Sequence, residues 1–304
     1  MVMNKVFYKV KFVFNIIKST KNWASIVFNR FSGKTEFKAK FRNGFEFKIN
    51  KENWPEFMGF VHLFSLLPNA KLKNNSLNFF YKSKNLEFDF GEYGFGTIVE
   101  VFGLDEYKKF FKILNPKDKV VVDVGATLGD SSIYFMLNGA KKVYAFEALP
   151  GYARLAEKNI IENGFKDSCE LIPMAVGGVS GEININSEIK DMFGANYTPP
   201  LSGDRVQVMT LKQIVEKFNI EDGYLKIDAE GYEYEIIQNT SREVLRKFSD
   251  VFLEYHYGYE DLVQYFKRAN FEVSYTKPRY HFMPQYKNAA SKTMFVGYIF
   301  AKRK

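Results

Sequence analysis

Two regimes of hydrophobic patterning divide the chain near residue 115. In the first, short alternating runs sit among helical spacings. Val6, Val10, Val13 and Ile17 recur at helical intervals with Lys5, Lys9 and Lys18 between them, and Phe7, Phe12 and Phe14 widen the apolar arc. That pattern predicts a helix over part of residues 1–31, either lying on a membrane surface or docked on its own domain. Phe37, Ala39 and Phe41 alternate with polar residues, as do Phe45, Phe47 and Ile49 beyond Asn43-Gly44, a dipeptide suited to the positive φ angles of a tight hairpin turn. A helix is predicted from Asn53 to Leu67, with Pro55 in its first turn and Pro68 as its stop. Residues 77–90 read as two strands joined at Lys82–Asn85, Thr97–Gly103 as extended chain, and Asp105–Leu114 as a short helix.

After Pro116 the pattern changes. Continuous apolar runs (VVVDV, VYAFE, CELIPMAVG, YLKID, DVFLEYH) alternate with helical segments, and FEVSYTK and TMFVGYIFAK close the chain. This alternation predicts a doubly wound α/β fold with a mostly parallel sheet covered on both faces. The expected organisation is a basic, aromatic helix-and-hairpin region over 1–115 and a cofactor-binding domain over 116–304.

Composition narrows the class. The 304 residues are 46% hydrophobic and 26% charged, as in a folded globular protein, and 32 Phe with 19 Tyr predict a large aromatic core. The single cysteine, Cys169, rules out an intrachain disulfide and fits a reducing compartment. Lys9, Lys11 and Lys18 interrupt the N-terminal apolar run, and no small-residue cleavage site follows, so neither a signal peptide nor a spanning helix is predicted. The expected location is the cytoplasm, with residues 1–31 as the segment for any peripheral contact with the membrane's cytoplasmic face. The net charge of +8 is spread along the chain rather than gathered in one arm, which disfavours nucleic acid as the partner.

The candidate chemistry lies where strands end. In KVVVDVGATLGDS, Asp123 ends a strand and Gly125, Ala126 and Gly129 form a turn leading through Ser131 into a helix, the place where open α/β sheets bind nucleotide-like cofactors. The spacing is not GxGxxG. Glu147 ends the next strand, at roughly the ~20-residue separation from which an acid reaches ribose hydroxyls. Ala148 follows it, and Ala175, in the AVGG turn after the third strand, leaves room for an adenine ring. Together these favour S-adenosylmethionine over a dinucleotide. Asp123 either positions the cofactor or braces the turn. The fourth and fifth strands end in Asp228, Glu230 and in Glu254, His256, which a doubly wound sheet opens onto one crevice. His256 or Asp228 is the expected general base, and Asp228 with Glu254 can also offer oxygen ligands to Mg²⁺. Two lid candidates are the loop 187–204, with Gly194, Asn196, Tyr197 and Gly203, and the loop around His281 in RYHFMPQY.

These segments, in the order VVDVGATLGDSSIYF, VYAFEALPGYARLAEKNI, AVGG, TLKQI and LKIDAEGYEYEII, resemble the FkbM family of S-adenosylmethionine-dependent methyltransferases over roughly residues 95–260. The resemblance implies a class I methyltransferase fold of seven strands, the last antiparallel. It also implies methyl transfer, usually to a hydroxyl oxygen on a sugar, glycan, glycolipid or natural product. By position, the Gly125–Gly129 loop and Glu147 would hold the cofactor, with Asp228, Glu230, Glu254 and His256 on the acceptor side. One departure is FEALP, where Pro150 comes later after the acid than is common in the family. The first 95 residues carry no such resemblance, so the acceptor stays open. Alternatives are an RNA methyltransferase and a non-catalytic cofactor-binding protein of the same fold. An amino-methylating nucleic-acid enzyme would carry an Asp/Asn-Pro-Pro-aromatic motif where this chain has Asp228-Ala229-Glu230-Gly231. Cytosine-carbon methylation would need a nucleophilic cysteine, and Cys169 reads as a buried structural thiol.

Overall fold

The computed structural model describes residues 13–105, 107–110, 113–185, 203–282 and 293–304. The chain forms two compact units, Met1–Phe90 with Gly94–Glu106, and Gly91–Tyr93 with Tyr107–Lys304.

In the first unit residues 13–19 are helical, and α1 (Trp23–Phe31) follows. Strands β1 (Phe37–Lys40) and β2 (Glu46–Ile49) pair antiparallel with Lys40 opposite Glu46. Their connection is wider than a two-residue turn. Only Gly44 has positive φ, at 94°, while the Asn43 amide donates to the Ala70 carbonyl at 2.6 Å and its Oδ1 accepts from the Phe45 N–H. Helix α2 (Trp54–Leu66) carries Pro55 in its first turn and packs Phe57, Phe60 and Phe64 against Phe41 and Phe45. These rings absorb much of the aromatic excess of the sequence. A second sheet holds β3 (Lys71–Lys73), β4 (Ser76–Tyr81) and β5 (Lys84–Asp89) in that order. Its β4–β5 turn sits on Lys82 and Ser83, both at positive φ. Residues 97–103 are helical, not extended: Ile98, Val99, Val101 and Phe102 are the buried positions, a helical and not an alternating set. Within the predicted helix 105–114, Tyr107–Phe110 forms one 3₁₀ turn.

The second unit is built on β6 (Val120–Val124), α3 (Asp130–Leu137), β7 (Lys142–Phe146), α4 (Pro150–Glu162), β8 (Cys169–Ile172), β9 (Ala175–Val176), β10 (Gly181–Ile185) and β11 (Asp204–Met209). It continues through α5 (Leu211–Phe218), β12 (Gly223–Ile227), α6 (Glu233–Gln238), α7 (Arg242–Leu245), β13 (Phe248–Tyr255), α8 (Glu260–Arg268), β14 (Phe271–Tyr275), β15 (Arg279–Phe282) and β16 (Thr293–Arg303). The main sheet runs β14-β16-β13-β12-β6-β7-β8, with β15 paired to β16. Neighbours from β13 to β8 are parallel, and β16 is antiparallel to both β13 and β14. One face of the sheet buries Val122, Leu225, Ile227, Val251 and Leu253 with Ile236 of α6. The other carries rings, with Tyr107 touching Tyr134, Phe135 and Phe252.

Two strand expectations change. CELIPMAVG is not one strand: the chain leaves the main sheet at Pro173, which has no N–H for a ladder, and Ala175–Val176 pairs parallel with β11 in the small sheet β10-β11-β9. Half of the RYHFMPQY loop is strand, since Arg279–Phe282 pairs with Thr293–Val296. The remainder of that loop and residues 186–202 lie outside the described residues, as do residues 1–12 of the N-terminal helix prediction. Among the described residues no helix is long and apolar enough to cross a membrane.

Candidate active site

Parallel register places Lys226 of β12 beside Asp123 of β6 in the middle of a fully buried strand. The Lys226 ammonium lies 3.2 Å from the Asp123 carboxylate and donates to the carbonyls of Gly125 at 2.7 Å and Val124 at 3.2 Å. Burial alone would push this amine down, but Asp123 and Asp228 hold its pKa above the usual value. The other Asp123 oxygen accepts from the hydroxyls of Ser131 and Ser132, both at 2.6 Å. Asp123 therefore braces the turn, and Ser131 spends its hydroxyl on that brace, not on a cofactor.

The glycine loop is held the same way. Gly125 and Ala126 donate their N–H groups to the Phe146 carbonyl, and Gly129 donates to Ala126. These amides do not point at a ligand, which corrects the expectation drawn from the glycine spacing. The glycines instead permit close approach. Gly125 has φ of 78°, and a Cβ there would fall 1.9 Å from the main-chain oxygen of Asp228. Gly129 has φ of 76° and lies against the backbone of Ala156 in α4.

Glu147, just past β7, is buried, and each of its carboxylate oxygens accepts an amide, from Thr127 and from Leu149, both at 2.8 Å. Burial raises its pKa to about 7, against the lowering pull of those two amides and Lys226. Each oxygen keeps acceptor capacity for a ribose hydroxyl. Ala148 and Ala175 pack into one small apolar cluster beside it, with Val206 and Val208. The close-packed glycine turn, the oriented acid and the small-residue wall together fit a nucleoside-bearing cofactor.

A second cluster forms beyond β12 and β13. His256 is 3% exposed. Its Nδ1 lies 2.5 Å from Glu233 Oε1, and its Nε2 faces Glu230 at 3.4 Å and Asp228 at 3.9 Å. Burial disfavours charge on the ring, yet these three carboxylates outweigh it and hold the pKa well above that of a free imidazole. These carboxylates favour the protonated ring, which makes Asp228 the better placed of the two general-base candidates. Glu230 adopts φ of 51°, unusual for a residue with a side chain. Ligand atoms of Asp228, Glu230 and His256 lie within 4.8 Å of one another, close enough for a divalent ion. The imidazole can ligate only after losing the proton that the same carboxylates favour. Glu254, half-buried on β13, is outside this trio. Cys169 is buried, with its thiol pushed up to about 12, and is no nucleophile.

Sequence reasoning missed Lys226 and Glu233 as parts of this site. A lysine inside an otherwise apolar strand was a signal for the first; Glu233 carried none beyond its place in an acidic helix start.

Seven strands in this order with one reversed, and a glycine turn after the first strand of the parallel half, make the class I methyltransferase fold. Residues 123–273 match the family model described as the methyltransferase FkbM domain, and that segment of the chain is an FkbM methyltransferase domain. No curated protein matches the sequence. Among solved structures, TrmK of M. capricolum in complex with S-adenosyl-homocysteine is 15% identical at a TM-score of 0.41, over 65% of this chain and 67% of that one. A methyltransferase FkbM from Methylobacillus flagellatus KT is 13% identical at 0.41, over 62% and 44%. The M. jannaschii tRNA m1G37 methyltransferase is 17% identical at 0.41, over 78% and 59%. The chain spans less than two thirds of the last two.

Proposed function

We propose that this methyltransferase uses S-adenosylmethionine to methylate a hydroxyl oxygen of a sugar, glycan or glycolipid. The observation that carries the reading is the placement of Asp228. Its main-chain oxygen closes on Gly125, while its part-exposed carboxylate stands within 4.0 Å of Lys226 and 3.9 Å of His256. A carboxylate beside the cofactor turn is the group a hydroxyl acceptor needs, because the oxygen must shed its proton as it attacks carbon. Glu147 would take the ribose hydroxyls, and Ala148 and Ala175 would border the adenine. When bound, S-adenosylmethionine supplies a methyl group on a sulfonium whose carbon–sulfur bond breaks with both electrons left on sulfur. Asp228 accepts the hydroxyl proton, and the Lys226 and His256 cations keep its carboxylate in place.

The cofactor half has its own test. Ribose hydroxyls donate to the ionised form of Glu147, whose pKa is about 7 in the free protein. Affinity for S-adenosylhomocysteine, measured by calorimetry, should therefore be flat above pH ~8 and weaken by up to about tenfold per unit below pH ~6, since binding must first remove a proton. Glu147→Gln should bind weakly at every pH. A wild-type affinity that does not change with pH, or a Gln variant that binds as tightly, would remove Glu147 from the ribose site.

A further inference from the structure

The first unit carries an exposed apolar surface on helix α1. Helix α1 has two apolar faces. Ile26 is buried, and Asn22 ties the start of the helix to β1, its side chain donating to the Lys38 carbonyl and accepting from the Lys40 N–H. On the far side Ala24, Phe28 and Phe31 follow at i, i+4 and i+7, one continuous stripe on a helix. Phe28 is 71% and Phe31 84% exposed, and Phe14, in the helical turn before, is 63% exposed. Phe28 and Phe31, large, apolar, outward and on one helix face, mark a contact surface and are not ordinary surface scatter.

Charge selects the partner. Lys18, Lys21 and Lys34 are exposed and lie before and after the helix in sequence, and no Asp or Glu occurs in the sequence before Glu36. Arg30, i+4 from the buried Ile26, lies over the Trp54 ring at 4.5 Å and so belongs to the docked side of the helix. Exposed Phe in a lysine-bearing segment that carries no acid is the composition of a helix that lies in the interface of an anionic bilayer. We infer that α1 binds the surface of an anionic membrane, with Phe28 and Phe31 entering the acyl boundary. Docking on its own unit and binding lipid are thus compatible, because they use opposite faces of the helix.

The test is sedimentation of the full chain with vesicles of phosphatidylcholine alone or mixed with phosphatidylglycerol. Wild type should pellet with the anionic vesicles at least tenfold better than with neutral ones. Phe28→Ser/Phe31→Ser should lose at least tenfold of that binding at unchanged melting temperature, both positions being exposed. Lys21→Gln/Lys34→Gln should lose the preference for anionic lipid. Equal partition of wild type and the Phe variant would overturn the inference. So would a stripe that serves only self-association, seen as a dimer by light scattering that the Phe variant abolishes without vesicle binding. Salt-sensitive binding to RNA, indifferent to the Phe changes and without any lipid binding, would overturn it equally.

Discussion

Asp228→Asn should lower kcat by about 10²–10⁴-fold, the usual worth of a general base, while cofactor affinity stays within a few-fold of wild type. The substitution keeps the size of the side chain and removes its capacity to take a proton. The main-chain oxygen of Asp228, against which Gly125 closes, is untouched, so the turn keeps its form. His256 loses only its longest carboxylate contact, at 3.9 Å, and retains Glu230 and Glu233. A fall in kcat with a steady dissociation constant for S-adenosylhomocysteine separates loss of the base from collapse of the site. Full turnover by Asp228→Asn would show that another group receives the proton.

The second large effect is on stability. Lys226→Met should cost about 3–5 kcal/mol in urea unfolding, the range for removing one partner of a buried pair. Asp123 would then sit fully buried with only the Ser131 and Ser132 hydroxyls against its charge, and the Gly125 and Val124 carbonyls would lose their donor. Adding Asp123→Asn should restore part of the loss, because the stranded charge is gone. Lys226→Met should also weaken cofactor binding, since the ammonium is what pins the Gly125 carbonyl. Wild-type stability in Lys226→Met would mean that the pair contributes nothing to holding the turn.

The sheet was legible because apolar runs and helical spacings alternate so plainly after Pro116, and Glu147 could be proposed as a ribose acceptor because it ends a strand at a known distance from a glycine turn. What the sequence could not convey was register. Lys226 and Asp123 are far apart in the chain, and only the parallel pairing of β12 with β6 makes them neighbours. Without that pair, Asp123 reads equally as ligand or brace, and the loop amides look available when Phe146 has already taken two of them. His256 looked like a base for a related reason. Glu233, Glu230 and Asp228 favour its protonated form, and no pattern in YEYEII distinguishes the buried Glu233, which reaches the ring from α6, from the exposed Glu235. The misread segment 97–103 shows the opposite failure: β-branched residues suggested a strand, and burial at i, i+1, i+3 and i+4 made a helical turn.

The most direct measurement is the fate of a labelled methyl group. The 304-residue chain, incubated with methyl-labelled S-adenosylmethionine and the glycan, glycolipid and RNA fractions of cells lacking it, should release S-adenosylhomocysteine and leave the label as a base-stable methyl ether in a glycan or glycolipid. Label recovered in RNA, or no transfer to any fraction by protein that still binds S-adenosylhomocysteine, would contradict the assignment.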